Sequence, residues 1–505
     1  MIKIHPNDNI EVNIQSVEVR AVQEIAQGEH IVLYGIPIAV ATHTIKNGSI
    51  LSDADVQVMQ AADVVEKITP IPDLPNPNLW KHKTFKGYYR TDGSVGTANY
   101  WLVIPMVFCE NRNVEIMRDA MMHQLGYQRS NQYHSLVKSL IHSYHQQHTA
   151  DDMLKINTEE ILFDKQDILF PNVDGIRFLT HQGGCGGTRQ DANALCGLFA
   201  GYITHPNVAG ATVLSLGCQN AQVEILLDEI KKRNPAFDKP LYMLDQQQTG
   251  EEKDLISQAI KQTLEGLKEA NKNVRTEAPL SKLCLGLESG NLNNSFVNAA
   301  IGRVSDRFVS LGAGIVLSQL THLKTVEQEV IKRCIHEEDK NRFRELMSKY
   351  IPSPEKNSLQ SIIVAAGALA KAGHSPIVSV LDFPKKISSG GLQVLCTPND
   401  TDISITATAG SGANLILLTT KDANEAVNNP IAPVIKMTDN NSVSENNDAV
   451  INVDAGAFLN ENNALENAAE ALIDLICSIA SGNKKTVADI AADNNFIPWK
   501  RGISL

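Results

Sequence analysis

A chain of 505 residues is too long for one ordinary hydrophobic core, so two or three domains are expected. Its composition, 43% hydrophobic and 20% charged, is that of a globular protein in water, and no run approaches the roughly 20 apolar residues that a membrane span requires. The net charge of -12 argues against a general nucleic-acid or anionic-membrane surface, so an acidic ligand would have to meet a local cluster of donors.

The amino-terminal stretch MIKIHPNDNIEVNI alternates in polarity and has neither the basic head nor the apolar middle of a secretory signal, which sets a cytoplasmic expectation. Residues 1–70 carry short strand-like runs in VEVRAVQEI, HIVLYG and IPIAVATHTI, divided by QG and KNGS turns, and read as a small β-rich domain. In IPDLPNPNLWKHK, Pro72, Pro75 and Pro77 each fix their own φ and push the preceding residue away from helix, which predicts an extended linker over 71–86. Next, GYYRTDGSVG is a Gly-rich turn ahead of a strand from Tyr100 to Val107. The apolar runs IRFLT, ATVLSLG, LCLGLE, GIVLS, IVSVLDF, LQVLCT and NLILLTT follow, with helical patterns such as AQVEILLDEIKKR, ISQAIKQTLEGLKEA and QSIIVAAGALAKAG between several of them. Alternating strand and helix predicts an α/β body with largely parallel sheets. The polar stretch Asp439 to Asp448 reads as a surface loop.

Eight cysteines, Cys109, Cys185, Cys196, Cys218, Cys284, Cys334, Cys396 and Cys477, are scattered without a CxxC pair, which suits reduced thiols better than a disulfide framework or a closed zinc site. Two of them sit at the tips of compact turns. IRFLT leads into THQGGCGGT, and ATVLSLG leads into CQNAQ, each before a helical pattern. In open α/β sheets ligands collect at the carboxyl ends of strands, where turn amides and helix amino termini receive anions. Gly183, Gly184, Gly186 and Gly187 allow close backbone approach around Cys185, with His181 nearby, while Gln219, Asn220 and Gln222 supply amides that hold hydroxyls and carboxylates. A polyhydroxy acid suits this mixture. Cys196, inside ALCGLFAGYI, is expected to pack, and His205 to serve a turn.

The stretches GYYRTDGSVGTANYWLVIPMVFCENRN, THQGGCGGTRQDANALCGLFAGYITHPNVAGATVLSLGCQNAQ, PLSKLCLGLE and FIPWKRGISL together resemble the altronate dehydratase family, which includes galactarate dehydratases. The resemblance implies a β-clip domain of the SAF type over 1–70, the linker 71–86, and a two-part α/β catalytic body, 87–275 and 276–505. It also implies loss of water from altronate to give 2-keto-3-deoxygluconate, with a divalent metal, iron(II), as cofactor. On that basis the catalytic candidates are His181, Cys185 and Cys218, which are also the candidate metal ligands. The substrate-binding candidates are Arg90, Gly183, Gly184, Gly186, Gln219, Asn220 and Gln222, with a turn role for Asp92 as the alternative to sugar binding.

Four loops depart from the family pattern. ESGNLNNSFVNAAIG, from Glu288 to Gly302, is shorter than the family's Glu-Cys-Gly-Gly-Ser-Asp-Gly segment and lacks its Cys and Asp. SPEKNSLQ from Ser353, TPNDTD from Thr397 and TKDANEAV from Thr420 each lack family glycines, and a His-Lys segment is missing between Ile14 and Val17. Two readings follow. One is a hexonate dehydratase with an impaired or rebuilt site; the other is a non-catalytic sugar-acid-binding, regulatory or structural paralogue. A third, redox sensing through Cys185 and Cys218, requires that they be close in space. The expected partners are a small sugar acid, no nucleic acid and no membrane, with self-association or pairing with a catalytic paralogue.

Overall fold

The computed structural model describes residues 1–13, 18–59, 74–128, 132–156, 167–290, 294–350, 358–387, 390–420, 427–439, 452–486 and 495–502. The segment between Ile14 and Val17, nearly all of Asp439 to Asp448, and parts of the loops from Glu288, Ser353 and Thr420 lie outside these residues.

The amino-terminal region is β-rich, as its alternating runs require. Strands β1 (Ile10–Val12) and β2 (Val19–Ala21) pair antiparallel, and β3 (His30–Leu33), β4 (Ile36–Ala41) and β5 (Val56–Val58) form an antiparallel three-stranded sheet. Buried Ile10, Val19, Ile31, Leu33 and Ile38 join one continuous apolar cluster with Leu285, Phe296 and Ile315 of the carboxyl-terminal body. The region is therefore packed against that body rather than held at a distance.

The expected extended linker differs from what is observed. Residues 71–73 lie outside the described set, but Asn76 caps a short 3-10 turn at Pro77–Leu79, where the fixed φ of Pro77 suits a first helical position. Trp80 then buries its ring under Arg307, 4.5 Å from the guanidinium, and its indole N–H donates to Glu470 Oε1 at 2.7 Å. Strand β6 (Thr84–Tyr89) follows, pairing antiparallel with β7 (Val95–Gly96) and with β12 (Thr276–Pro279).

Two parallel sheets carry the rest. The first has four strands, β8 (Tyr100–Pro105), β9 (Gly175–Phe178), β10 (Val208–Ser215) and β11 (Leu241–Asp245), in spatial order β11-β10-β8-β9. The second has seven, β13 (Cys284–Ser289), β14 (Gly314–Leu317), β15 (Ile377–Asp382), β16 (Gly391–Cys396), β17 (Leu415–Thr419), β18 (Val434–Thr438) and β19 (Val453–Asp454), in order β15-β16-β14-β13-β17-β18-β19. All pairings within both sheets are parallel. Central strands such as YWLVIP and LILLT are buried throughout, as expected where helices cover both faces.

Strand order locates the crevices. In the first sheet the chain leaves β8 toward β9 but leaves β10 toward β11, so the connections diverge at the carboxyl ends of β8 and β10. In the second, β13 leads toward β14 and β17 toward β18, so they diverge between β13 and β17. Such switch points are where open α/β sheets bind ligands. The segment 495–502 ties the two carboxyl edges together. Lys500 Nζ donates to Gln182 O at 2.8 Å, the Arg501 and Gly502 amides donate to Asp191, and the Arg501 guanidinium pairs with Asp382 at the end of β15 at 2.6 Å. Asn495 reaches Asp402, in the first turn of the helix Thr401–Ser411. Among the described residues, no helix is long and apolar enough to cross a membrane.

Candidate functional site

Three turns meet at the edge of the four-stranded sheet. After β9, His181 is buried against Phe199, and its Nε2–H donates to Pro105 O at 2.7 Å while Nδ1 accepts from the Gly183 amide at 2.9 Å. Burial pushes its pKa down to about 4, so the ring is neutral at pH 7. Both ring nitrogens are committed, and the imidazole acts as a pin for the GGCGG turn. Gly184 has φ +91° and a Cβ there would lie 2.2 Å from Met106 O, so only glycine lets this turn close onto the end of β8.

The turn is then stitched to both neighbours. Gly183 O accepts from Phe108 N at 3.0 Å, and Gly184 O accepts from Asn220 N at 2.9 Å and Ala221 N at 3.1 Å. Cys185 is exposed at the tip, Cys218 is exposed after β10, and Cys109, which sequence reasoning did not single out, is exposed after β8.

The amide side chains are largely spent on the turn itself. Gln219 is buried, accepts from the Gly217 amide at 2.8 Å and donates to Ser215 Oγ at 2.8 Å. Gln222 donates to Gln219 O and stands at the N-cap position of the helix Val223–Arg233 without a side-chain capping bond, whereas Asn220 is exposed. Gly186, at φ +74°, stands in open space. Arg90 is not brought to these turns. Its guanidinium donates to Pro206 O at 2.8 Å, Asn99 Oδ1 at 3.0 Å and Ala98 O at 3.2 Å, all ahead of the amino ends of β8 and β10, and desolvation lowers its pKa to about 10. Asp92 closes an Asx turn onto Ser94, and Cys196 and His205 are buried, the latter bonded to Ala413 O at 3.1 Å.

The edge of the seven-stranded sheet holds a second centre. Glu288 and Ser289 end β13. Glu288 is fully buried and accepts from Ser404 Oγ at 2.8 Å and Thr408 Oγ1 at 2.7 Å, two hydroxyls one turn apart on the helix Thr401–Ser411. Lys371, just after the helix Leu359–Ala370, is equally dry, and its Nζ donates to Ser289 Oγ. Burial pushes the Lys371 amine down to about 7 against the opposing pull of the Glu288 carboxylate, and burial raises Glu288.

Gln319 supports this pair from a left-handed backbone, φ 59°, which a non-glycine residue adopts only when its surroundings impose it. Its side chain accepts from the Ser289 amide at 2.7 Å and donates to Ser289 O at 2.9 Å, and its own amide donates to Thr397 Oγ1 at 2.7 Å. In the 3-10 helix Leu320–Val326 that follows, Thr321 Oγ1, His322 Nδ1 and Thr325 Oγ1 are buried without a hydrogen-bond partner among the described residues. Orphaned polar atoms beside a titratable pair are the signature of a site built for a hydroxylated ligand or ordered water.

Sequence reasoning missed this centre, although its signals were present. Lys371 is a lone cation ending the apolar LQSIIVAAGALA stretch, and ISITAT spaces Ser404 and Thr408 for one helix face. Of the four departing loops, those from Glu288, Thr397 and Thr420 start at the carboxyl edge of this one sheet.

The divalent metal implied by the resemblance is not matched by a ligand set here. Among the described residues no three His, Cys, Asp or Glu side chains converge on one ion, and His181 has no free ring nitrogen. The trio His181, Cys185 and Cys218 does not fit a mononuclear centre in this geometry.

Parallel sheets with diverging connections define a doubly wound α/β protein. The comparisons make this specific. Residues 87–271 match the family model "D-galactarate dehydratase/Altronate hydrolase, second domain", and residues 359–504 match "D-galactarate/Altronate dehydratase, C-terminal". The altronate dehydratase of Bacillus subtilis (strain 168) is 24% identical over 523 residues, 95% of each chain. That of Escherichia coli (strain K12) is 24% identical over 100% of this chain and 99% of its own, and the galactarate dehydratase (L-threo-forming) of the same strain is 25% identical over 97% and 94%. The chain belongs to the galactarate/altronate dehydratase family, a family of sugar-acid dehydratases.

Proposed function

We propose that this protein is a hydro-lyase that removes water from a hexonate of the altronate type to give a 2-keto-3-deoxy sugar acid. One observation carries this reading: the dry Lys371 amine, hydrogen bonded to Ser289 at a switch point and within the field of the buried Glu288 carboxyl. The hydrogen removed lies α to a carboxylate and is very weakly acidic, so the base must be unprotonated at working pH and close to the carbon, which for an amine means the neutral form. Lys371 near 7 meets the first requirement. Ser289, the more exposed partner, passes the proton: the C2–H bond breaks, Oγ gains that proton, and its own moves to Nζ. The new ammonium is stabilised by Glu288. It then returns the proton to the departing β-hydroxyl, which leaves as water, and the enol becomes the 2-keto acid.

The lost loop glycines bear on rate rather than on this proton path. Removing one preorganised donor from such a site costs ~10²-fold or more, and several loops are altered, so turnover is expected at least ~10³-fold below that of the altronate dehydratases. The test is 2-keto acid formation from altronate and galactarate by the purified protein. Measurable formation that falls by ~10²-fold or more in Lys371→Met, with that variant folded, supports the assignment. Activity unaffected by Lys371→Met contradicts the proposed base. Thermal stabilisation by a hexonate without any turnover favours the sugar-acid-binding reading, since the orphaned polar atoms near His322 suit a bound ligand in either case.

A further inference from the structure

With a net charge of -12, the chain can hold an acidic ligand only where cations gather locally, and such a gathering lies at the edge opposite Lys371. A cleft of about 360 Å³ opens between the amino ends of the two parallel sheets, large enough for a small metabolite. Its walls come from both parts of the body: Asp92, Thr204 and Arg233 from the first, Lys282, Cys284 and Lys386 from the second. Cys284 starts β13 and Ser289 ends it, so the cleft is ~16 Å along the strand from the Ser289 that Lys371 contacts.

Half-buried Arg233 and exposed Lys282 and Lys386 border this cleft, and Arg90 and Lys239 act electrostatically on the same group. None of the five pairs with a carboxylate among the described residues. Their hydrogen bonds go to neutral oxygens: Arg90 to Pro206 O at 2.8 Å, Arg233 to Gly410 O at 3.2 Å, Lys239 to His205 O at 2.7 Å, Lys282 to Gly93 O at 3.0 Å and Lys386 to Arg233 O at 3.1 Å. The carboxylates that act on the group are engaged elsewhere, Asp92 with Ser94, Asp238 with Thr91 and Glu229 with Lys232. Burial lowers Arg233 to about 10, and burial reinforced by Arg90 lowers Lys239 well below the usual lysine range, as expected where opposite charge is short. Helix carboxyl ends at Thr204, Arg233 and Gly410 supply the carbonyls, but each carries only about half a charge that fades within a turn, so the full cations stay uncompensated. We propose that this cleft binds a small dianion, a phosphate or a dicarboxylate, as an effector site separate from the proton-transfer centre. Because its cations belong to both parts of the body, the anion bridges them and fixes their relative position. Arg90, expected at the sugar acid, serves this second group instead.

The test is read without turnover, so it succeeds or fails apart from the Lys371 assignment. Full-length protein is titrated calorimetrically with inorganic phosphate, with succinate and with acetate, at one ionic strength set by sodium chloride. One saturable site is expected, at least ~10-fold tighter for phosphate or for succinate than for the monoanion acetate, and the tighter of the two identifies the source of the dianion. The double variant Lys282→Met/Lys386→Met should weaken that binding by ~10-fold or more, since charge-assisted hydrogen bonds to the ligand are removed. Both side chains are exposed, so an unchanged melting temperature without ligand verifies folding. Lys340→Met, which removes the same charge from an exposed helix, and Lys371→Met should both bind the dianion as wild type does. Equal affinity for all three anions, full affinity in the double variant, or binding lost in Lys371→Met but kept in the double variant overturns the proposal.

Discussion

At the edge of the four-stranded sheet the reactive groups point outward and the buried polar groups are structural. Cys109, Cys185 and Cys218 are exposed, while His181 and Gln219 are used up in holding the turns. At the edge of the seven-stranded sheet the arrangement is reversed: the titratable groups Glu288 and Lys371 are dry, and hydroxyls and Gln319 are arranged around them. The same fold geometry thus gives one edge whose weak point is backbone shape and another whose weak point is buried charge. Substitutions should hurt the two edges for different reasons.

The largest stability effect is expected at the dry edge. Glu288→Ala leaves the hydroxyls of Ser404 and Thr408 without their buried acceptor and removes the carboxylate whose charge acts on the buried Lys371 amine, and taking one charge of such a buried arrangement away costs about 3–5 kcal/mol. Glu288→Gln keeps the volume and an acceptor oxygen and should cost less than half of that. Urea unfolding of both variants checks the contrast. Equal stability of the two would mean that the pair is not desolvated as described.

At the other edge, backbone shape should dominate. Gly184→Ala places a Cβ against Met106 O in a left-handed conformation, and a strained, clashing turn costs about 3 kcal/mol. Gly186→Ala shares the left-handed φ but meets nothing within 4 Å, so only the conformational term of roughly 1 kcal/mol applies. If the two alanines prove equally mild, the close approach of the GGCGG turn to β8 is not what holds this edge.

Fold class was legible because it is written in local periodicity. Fully apolar runs such as ATVLSLG and NLILLTT can only be strands buried on both faces, and the helical patterns between them force a parallel sheet. The Gly/Cys turns were legible for a similar reason, since glycine clusters after a strand mark close backbone approach. Other features depend on long-range contact. Arg90 looked like a ligand-binding cation, but its partners Pro206 and Asn99 come together only in the folded chain, at the amino edge. Gln219 and Gln222 looked available, yet the turn satisfies its own amide groups first. The pairing of Glu288 with Lys371 spans two crossovers of the second sheet, and nothing in either local sequence announces the other residue.

The proton-accepting role of Lys371 is tested most directly by the pH dependence of kcat/KM, between pH 5 and 9, in wild type and Glu288→Gln. A neutral amine is required, so activity should rise with pH through a midpoint near 7, where Lys371 loses its proton. The Glu288 carboxylate favours the protonated amine and raises that midpoint, so Glu288→Gln should shift the rise to lower pH. A midpoint that stays in place when Glu288 is neutralised, or activity that falls with rising pH through 7, would contradict the account.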